Sequence, residues 1–297
     1  MSTFDNLVDD VSQTLHGYGL AQPRASFLSA SVGTNDLAFS VIDASGFEQG
    51  VAEIGNELVF IESVDYSSSI LTISPDGRGY YGTTAATHGI NSRITMAPVW
   101  SRSRIATAIN ETILGVYPTL FGVASTSFTF IPAVTTYSLP AETERVLRVT
   151  ADTIGPSGEQ ETIKRYSFNS VAPTSKYATG NTITLEQSAA PGRSVTVTYV
   201  KQPSEITFGS AFTACGLSET AKRCIKYGAI SSLLAYMDSA RLPVDTAQAD
   251  EYDQSKAGIG TAGRISAQLY QRYLVELETE RKRLRAATPT PISVRTR

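Results

Sequence analysis

The run Gly77-Arg78-Gly79-Tyr80-Tyr81-Gly82 carries glycines at the spacing G-x-G-x-x-G and is followed by Thr83 and Thr84. Such a loop can cradle phosphates with its backbone N–H groups. The dinucleotide form needs a helix directly after the last glycine, whose N-terminal amides hold the pyrophosphate, and an acid about twenty residues further on. Here the residues that follow contain Gly89 and lead into the strand-like SRITM, and residues 101–104 offer no acid. A kinase-type glycine loop does sit between strands, but no catalytic-loop or metal-binding motif accompanies this one, and Tyr80 and Tyr81 would crowd a phosphate. The expectation is a structural turn in which Gly77, Gly79 and Gly82 permit positive φ, with no nucleotide or other cofactor.

Other chemistries find less support. There is no G-x-S-x-G elbow, and a Ser-His-Asp site would have to use His16 or His88, the only two histidines. His16 ends a helix, and His88 sits in a turn. Cys224 falls on an apolar helix face, whereas Cys215 precedes that helix and could be a reactive thiol, though without a local base. No C-x-x-C or H-x-x-x-H pair exists, which argues against zinc or another metal. Glu278 and Glu280 read as helix-surface charges. The expectation is a protein that is not an enzyme.

The chain has 297 residues, 41% hydrophobic and 18% charged, with a net charge of −3. That is enough apolar residue for a core and too little charge for disorder, and the net charge gives no general case for nucleic acid. The first residues are amphipathic, not a secretory signal, and no segment approaches the roughly 18 uninterrupted apolar residues of a membrane span. Two cysteines are too few for a disulfide framework, so a soluble protein of a reducing compartment is expected. Charge is unevenly placed. Residues 1–66 hold ten acids (Asp5, Asp9, Asp10, Asp36, Asp43, Glu48, Glu53, Glu57, Glu62 and Asp65) against the single base Arg24, while residues 281–297 hold six bases and no acid. These ends are either solvated faces or surfaces through which subunits, or subunit and partner, meet.

Periodicity supplies the elements. Phe4, Leu7, Val8, Val11 and Leu15 repeat at helical spacing, with Gly17 as the stop. Five strand-like runs then alternate with period two between residues 25 and 99: SFLSASV, LAFSVI, ELVFIESV, SILTIS and SRITMAPV. A second helical stripe, Ile105 through Val116, Tyr117 and Leu120, starts at Ser101 or Ser103 and ends near Gly122. Longer and more regular strands return with SFTFI, TYSL, RVLRVTA, KRYSF, NTITLEQ and SVTVTYV, separated by GPSGE, ATGN and PGR turns. Two helices close the pattern, one on Cys224, Ile225, Ala229 and Leu233, one on Ile265, Leu269, Tyr273 and Leu277, before the extended AATPTPISVRTR. The fold expected is α+β: a helical bundle with two inserted antiparallel β modules and an extended tail. Its parts are an N-terminal bundle helix (1–19), a small β-barrel (20–100), a bundle helix (101–122), a β-sandwich (123–207), C-terminal bundle helices (208–286) and a basic tail (287–297).

The ordered run Arg78, Gly79, Gly82, Thr83, Thr84, Ala85, Ala86, His88, Gly89 and Ile94 is similar to a barrel module of tailed-bacteriophage virion proteins. It is followed by Asn110-Glu111-x-Ile113, Tyr117-Pro118-x-Leu120-Phe121, Gly180-Asn181-x-Ile183-x-Leu185, a PGR-x-V-x-V-x-Y run ending at Tyr199, and Tyr227-Gly228-Ala229 with Leu233 and Leu234. Taken in this order, from about residue 50 to 290, these residues resemble head-to-tail connector, or adaptor, proteins of tailed phages. The resemblance implies a structural virion protein at the head–tail interface, assembled in the host bacterial cytoplasm. It implies a homo-oligomeric ring, twelve-fold, that docks under the portal protein, contacts a tail or further neck protein, and leaves a channel for genomic DNA without sequence-specific contacts. No membrane is involved. Portal docking falls to the basic end, Arg281, Lys282, Arg283, Arg285, Pro289, Pro291, Arg295 and Arg297. Gly79 and Gly82 shape a barrel hairpin that Thr83, Thr84 and His88 staple, with Arg78 and Gly89 beside them. The acid-rich first third could line the channel. Two other readings stay open: a neck or tail-fibre-attachment protein binding a partner or glycan, with Tyr166, Phe168 and Tyr177 as candidates, and a virion-borne peptidoglycan hydrolase.

Overall fold

The computed structural model describes residues 3–17, 24–153, 159–240 and 261–288. Among them the protein is mixed α+β, with four α-helices, thirteen strands and only antiparallel pairing. The chain divides into two compact units, one of Asp5–Ile109 and Ala229–Ser266, the other of Met1–Phe4, Asn110–Gly228 and Ala267–Arg297.

In the first unit, α1 (Phe4–His16) buries Leu7, Val8, Val11 and Leu15 completely. That is the stripe the i, i+3, i+4 spacing sets on one helix face. Six strands follow: β1 (Ala25–Phe27), β2 (Ala38–Ser40), β3 (Gly50–Ile54), β4 (Glu57–Asp65), β5 (Ile70–Ile73) and β6 (Arg93–Met96). They form one sheet in the order β1-β6-β3-β4-β5-β2. Its two edges approach just past their ends, where Leu28 bridges Val41 and the Ser29 and Ile42 N–H groups donate to Ser40 and Phe27 carbonyls at 2.9 Å. The sheet is thereby curled into a half-barrel around Leu28, Phe39, Ile54, Val59, Ile61, Leu71 and Ile94. The five strand-like runs become six strands. The extra one, β3, has only Ala52 and Ile54 fully buried, too short an alternation to stand out.

The second unit holds β7 (Gly122–Thr129), β8 (Thr136–Ser138), β9 (Arg145–Asp152), β10 (Gln160–Thr162), β11 (Tyr166–Asn169), β12 (Thr182–Leu185) and β13 (Ser194–Lys201). They make a four-stranded sheet, β10-β9-β13-β7, and a three-stranded one, β11-β12-β8. One core joins them: Val149, Val195 and Val197 from the first sheet meet Ile183 and Leu185 from the second. Strand β10 is exposed at all three residues and has no apolar signal; pairing with β9 alone defines it. Asn181, buried in the turn ahead of β12, donates its amide to the carbonyls of Pro140, Ala141 and Thr143 at 3.0–3.2 Å, so the Gly180-Asn181 motif fixes the loop after β8.

Helix α2 (Arg102–Gly115) stops earlier than its apolar stripe suggests, because Tyr117 precedes Pro118 and the residue before proline is disfavoured in α conformation. Ser101 accepts the Arg104 N–H at 3.2 Å, an N-cap bond. In the second unit the later part of α2 meets α3 (Lys222–Ala240) and α4 (Thr261–Ala287) at Gly228. A Cβ there would lie 2.5 Å from Thr112 Cγ2 and 3.1 Å from the Tyr273 ring. Three helices therefore cross where only glycine fits. Replacing Gly228 by Val is expected to destabilise the fold by about 1–3 kcal/mol, the usual cost of overpacking, despite the helix propensity gained. Urea unfolding of the variant checks this, and unchanged stability would mean the helices do not approach so closely.

Candidate functional site

Glu57 follows directly on the two-residue Gly55-Asn56 turn between β3 and β4. The turn aims its side chain inward, and that side chain is completely buried. Five donors surround it. Arg78 grips the carboxylate with two N–H groups, at 2.7 and 3.1 Å. The Gly79 N–H reaches one oxygen at 3.1 Å and the Ala86 N–H the other at 3.0 Å. His88 Nε2 completes the set at 2.7 Å. The rest of the Arg78 fork donates to the carbonyls of Gly33 (2.7 Å), Asp36 (2.9 Å) and Ala86 (2.8 Å). Burial alone would raise the Glu57 pKa, but the bonds from His88, Arg78 and the two amides outweigh it and hold the carboxyl at about 2.

This cluster answers the glycine-rich run. Of the backbone amides in the run that could cradle a phosphate, that of Gly79 is taken by the internal carboxylate of Glu57 and that of Gly77 by the Ser74 carbonyl at 2.8 Å. Only a three-residue 3₁₀ turn, Tyr80–Gly82, follows Gly79, and Tyr80 packs on Phe60 with ring centroids 5.3 Å apart. The run is not a barrel hairpin: it opens the long crossing from β5 to β6, strands that do not pair with each other. Gly79 is left-handed at φ 61°, and a Cβ there would sit 2.7 Å from the Thr83 carbonyl oxygen. Gly77, in contrast to the expectation of positive φ, is needed for its close approach to the Phe60 carbonyl, 2.7 Å from where a Cβ would be. Thr83 staples as its place suggests, donating to the Tyr80 carbonyl and accepting the Leu58 N–H, both at 3.0 Å. His88 holds the loop through the Glu57 carboxylate and not through a backbone group, while its own backbone pairs with Val32 at 2.8 and 2.9 Å. Thr84, Gly82 and Gly89 are exposed. Glu57 itself carries no local signal: it lies 21 residues from Arg78 and 31 from His88.

Other candidates change character. Cys215 is buried, and burial pushes its thiol pKa up, away from the thiolate form that a nucleophile needs. Cys224 is buried as well, its pKa raised to about 12 by the same cause. Glu280 is not a surface charge; it is buried, accepting from Thr220 at 2.8 Å and Arg283 at 3.1 Å. Tyr166 and Phe168 pack on the sandwich core, which leaves Tyr177 as the remaining glycan candidate. Among the described residues no group of His, Cys, Asp and Glu is placed to hold a metal ion, and no helix is long and apolar enough to cross a membrane.

The basic end of α4 forms a second site. Arg281 and Arg285, one helical turn apart, line a cavity of about 510 Å³ with Arg145 of β9, Thr119, Phe121 and Thr288. Lys282 is exposed on another face, and Arg283 is held by Glu280 and by Ser218 Oγ at 2.5 Å. Pro289, Pro291, Arg295 and Arg297 lie outside the described residues.

The chain belongs to the SU10 adaptor protein family, whose model matches residues 83–295. It is thus a phage adaptor-type protein, a structural component of the virion. No curated protein matches it.

Glu57→Gln leaves Arg78 buried without its counter-ion, and about 3–5 kcal/mol of stability should be lost at neutral pH. Because the folded-state pKa of Glu57 is depressed, its contribution is present above the ordinary value of about 4.3 and lost as pH falls towards the folded value. Urea midpoints measured down that range should fall for the wild type and stay flatter for the variant. Gly79→Val should disrupt the half-barrel, and neither ATP nor NAD should raise the melting temperature of the wild type; a clear thermal shift would restore the nucleotide reading.

Proposed function

We propose that this chain is the head-to-tail adaptor of a tailed phage, a ring of identical subunits, twelve in number, that docks under the portal and joins capsid to tail around a DNA channel. The family match over residues 83–295 carries this reading. It fits a chain whose buried Glu57–Arg78–His88 cluster serves the fold. Lys282 at the basic end of α4, with residues 289–297 beyond it, would dock on an acidic surface of the portal. Exposed acids of the half-barrel, among them Asp36 and Glu62, would face the channel and let DNA slide instead of binding. The protein performs no reaction in this reading, and a zymogram in which it clears peptidoglycan would overturn that part.

Mixing the full chain with the portal protein of the same phage and weighing the product by mass photometry tests the assignment. A ring-sized complex is expected with the full chain and not with one ending at Ala287. A stable trimer indifferent to portal would favour a fibre-attachment role instead.

A further inference from the structure

The cavity beside α4 concentrates positive charge without matching carboxylates. Arg281 shares one ion pair with Glu278 at 3.0 Å. Among the described residues neither Arg145 nor Arg285 has a carboxylate within ion-pair distance. The Arg145 guanidinium lies over the Phe121 ring, 5.8 Å from its centroid. Packed in this way, a guanidinium keeps its N–H edges free for a two-pronged bond to a planar acceptor. At about 510 Å³ the cavity is the size of a side-chain cluster. Pro118 and Phe121 give it apolar walls that a phosphodiester backbone would not use. Its chemistry suits carboxylates flanked by apolar groups.

The chain itself presents such a surface, at one rim of the half-barrel. The Val41 N–H donates to the Ser69 carbonyl at 3.0 Å and the Tyr66 hydroxyl to the Phe47 carbonyl at 3.0 Å. These bonds bring the loop after β2 against the β4–β5 turn. Asp43, Glu48 and Asp65 are exposed there, around Ile42 and Tyr66, which are 62% and 61% exposed. Asp43 and Asp65 accept N–H groups of the serines that follow them, which fixes their carboxylates in place.

We propose that the Arg145–Arg281–Arg285 cavity receives this acidic rim from a second copy of the chain, with Glu48 and its neighbouring aspartates as the carboxylates and Ile42 and Tyr66 against Phe121 and Pro118. The two surfaces differ, so the contact is heterologous: each copy offers its rim to one neighbour and its cavity to another. It needs no portal. It assigns Arg281 and Arg285 to a subunit contact and leaves Lys282 and the residues beyond α4 for docking.

Sedimentation of the full chain tests this with two complementary variants. R145E/R285E reverses the cavity, and I42K/E48K cancels the negative charge of the rim without touching the two aspartates that cap their own loops. The wild type should self-associate by about 200 µM in about 50 mM salt, a range that detects weak contacts. Each variant alone should associate at least ~30-fold more weakly, with unchanged circular dichroism. An equimolar mixture of the two should recover pairwise association, because the unaltered rim of the first variant then meets the unaltered cavity of the second. Lys282→Glu should behave as wild type. A wild type that stays monomeric, variants that associate normally, or a mixture that fails to recover would each overturn the contact. Failure to bind portal with this contact intact would instead count against the adaptor assignment.

Discussion

A carboxylate taken out of water destabilises a fold unless nearly all its lone pairs are met, and Glu57 is taken out completely. What meets it determines the shape of the half-barrel. Arg78, the Gly79 and Ala86 amides and His88 all come from the crossing between β5 and β6, a segment with almost no regular structure. Arg78 then extends the network to the carbonyls of Gly33 and Asp36, in the loop between β1 and β2. Val32, in that same loop, pairs with His88 through the backbone. Two irregular segments are thus fixed by one buried ion, and with them the place where the edge strands approach. Apolar packing could not do this, because neither loop has a continuous apolar face.

The same arrangement explains what could and could not be read beforehand. Arg78, Gly79, Thr83 and His88 stand close together, and their types already suggest a tied loop. Their common partner does not stand out, since Glu57 looks like any acid at the start of a strand; only the turn at Gly55-Asn56 shows that it must point inward. Gly228 is similar. Within α3 it reads as a weak helix residue, and its reason lies in Thr112 and Tyr273, far away in sequence. Strong periodicity made α1, α3, α4 and the sandwich strands legible. Strands β3 and β10 were not, because pairing rather than side-chain pattern creates them. The matched family region begins at Thr83 and so leaves Glu57, Arg78 and Gly79 before it; that half of the clamp is understood from its geometry alone.

Charge counting misleads in a comparable way at both ends. Of the ten acids in residues 1–66, Glu57 is neutralised by Arg78, and Asp5 and Asp9 pair with Arg102. Glu53 accepts the Arg102 N–H at 2.5 Å at the start of α2, with its pKa raised to about 7 by burial against the pull of that bond and of the guanidinium. The field felt outside is therefore weaker than a net of −9 would produce, and it comes from Asp36, Asp43, Glu48, Glu62 and Asp65, the acids left on the surface. The basic run on α4 divides likewise by helix face: Arg281 and Arg285 to the cavity, Arg283 to Glu280, Lys282 to solvent.

This division would matter for the assembly of identical subunits proposed above. A contact resting mainly on apolar surface would form wherever copies meet, before any docking site exists. Contacts between exposed charges are screened within about 8 Å at physiological salt. They contribute more to steering and register than to raw affinity. Subunits joined in that way can associate, separate and re-register until a second interaction adds its share, after which the linked contacts become collectively strong through effective concentration. The proposed contact, a cavity of arginines with apolar walls against an acidic rim with two exposed apolar side chains, would have this intermediate character: specific in orientation, weak alone, and reinforced once neighbouring copies are held side by side.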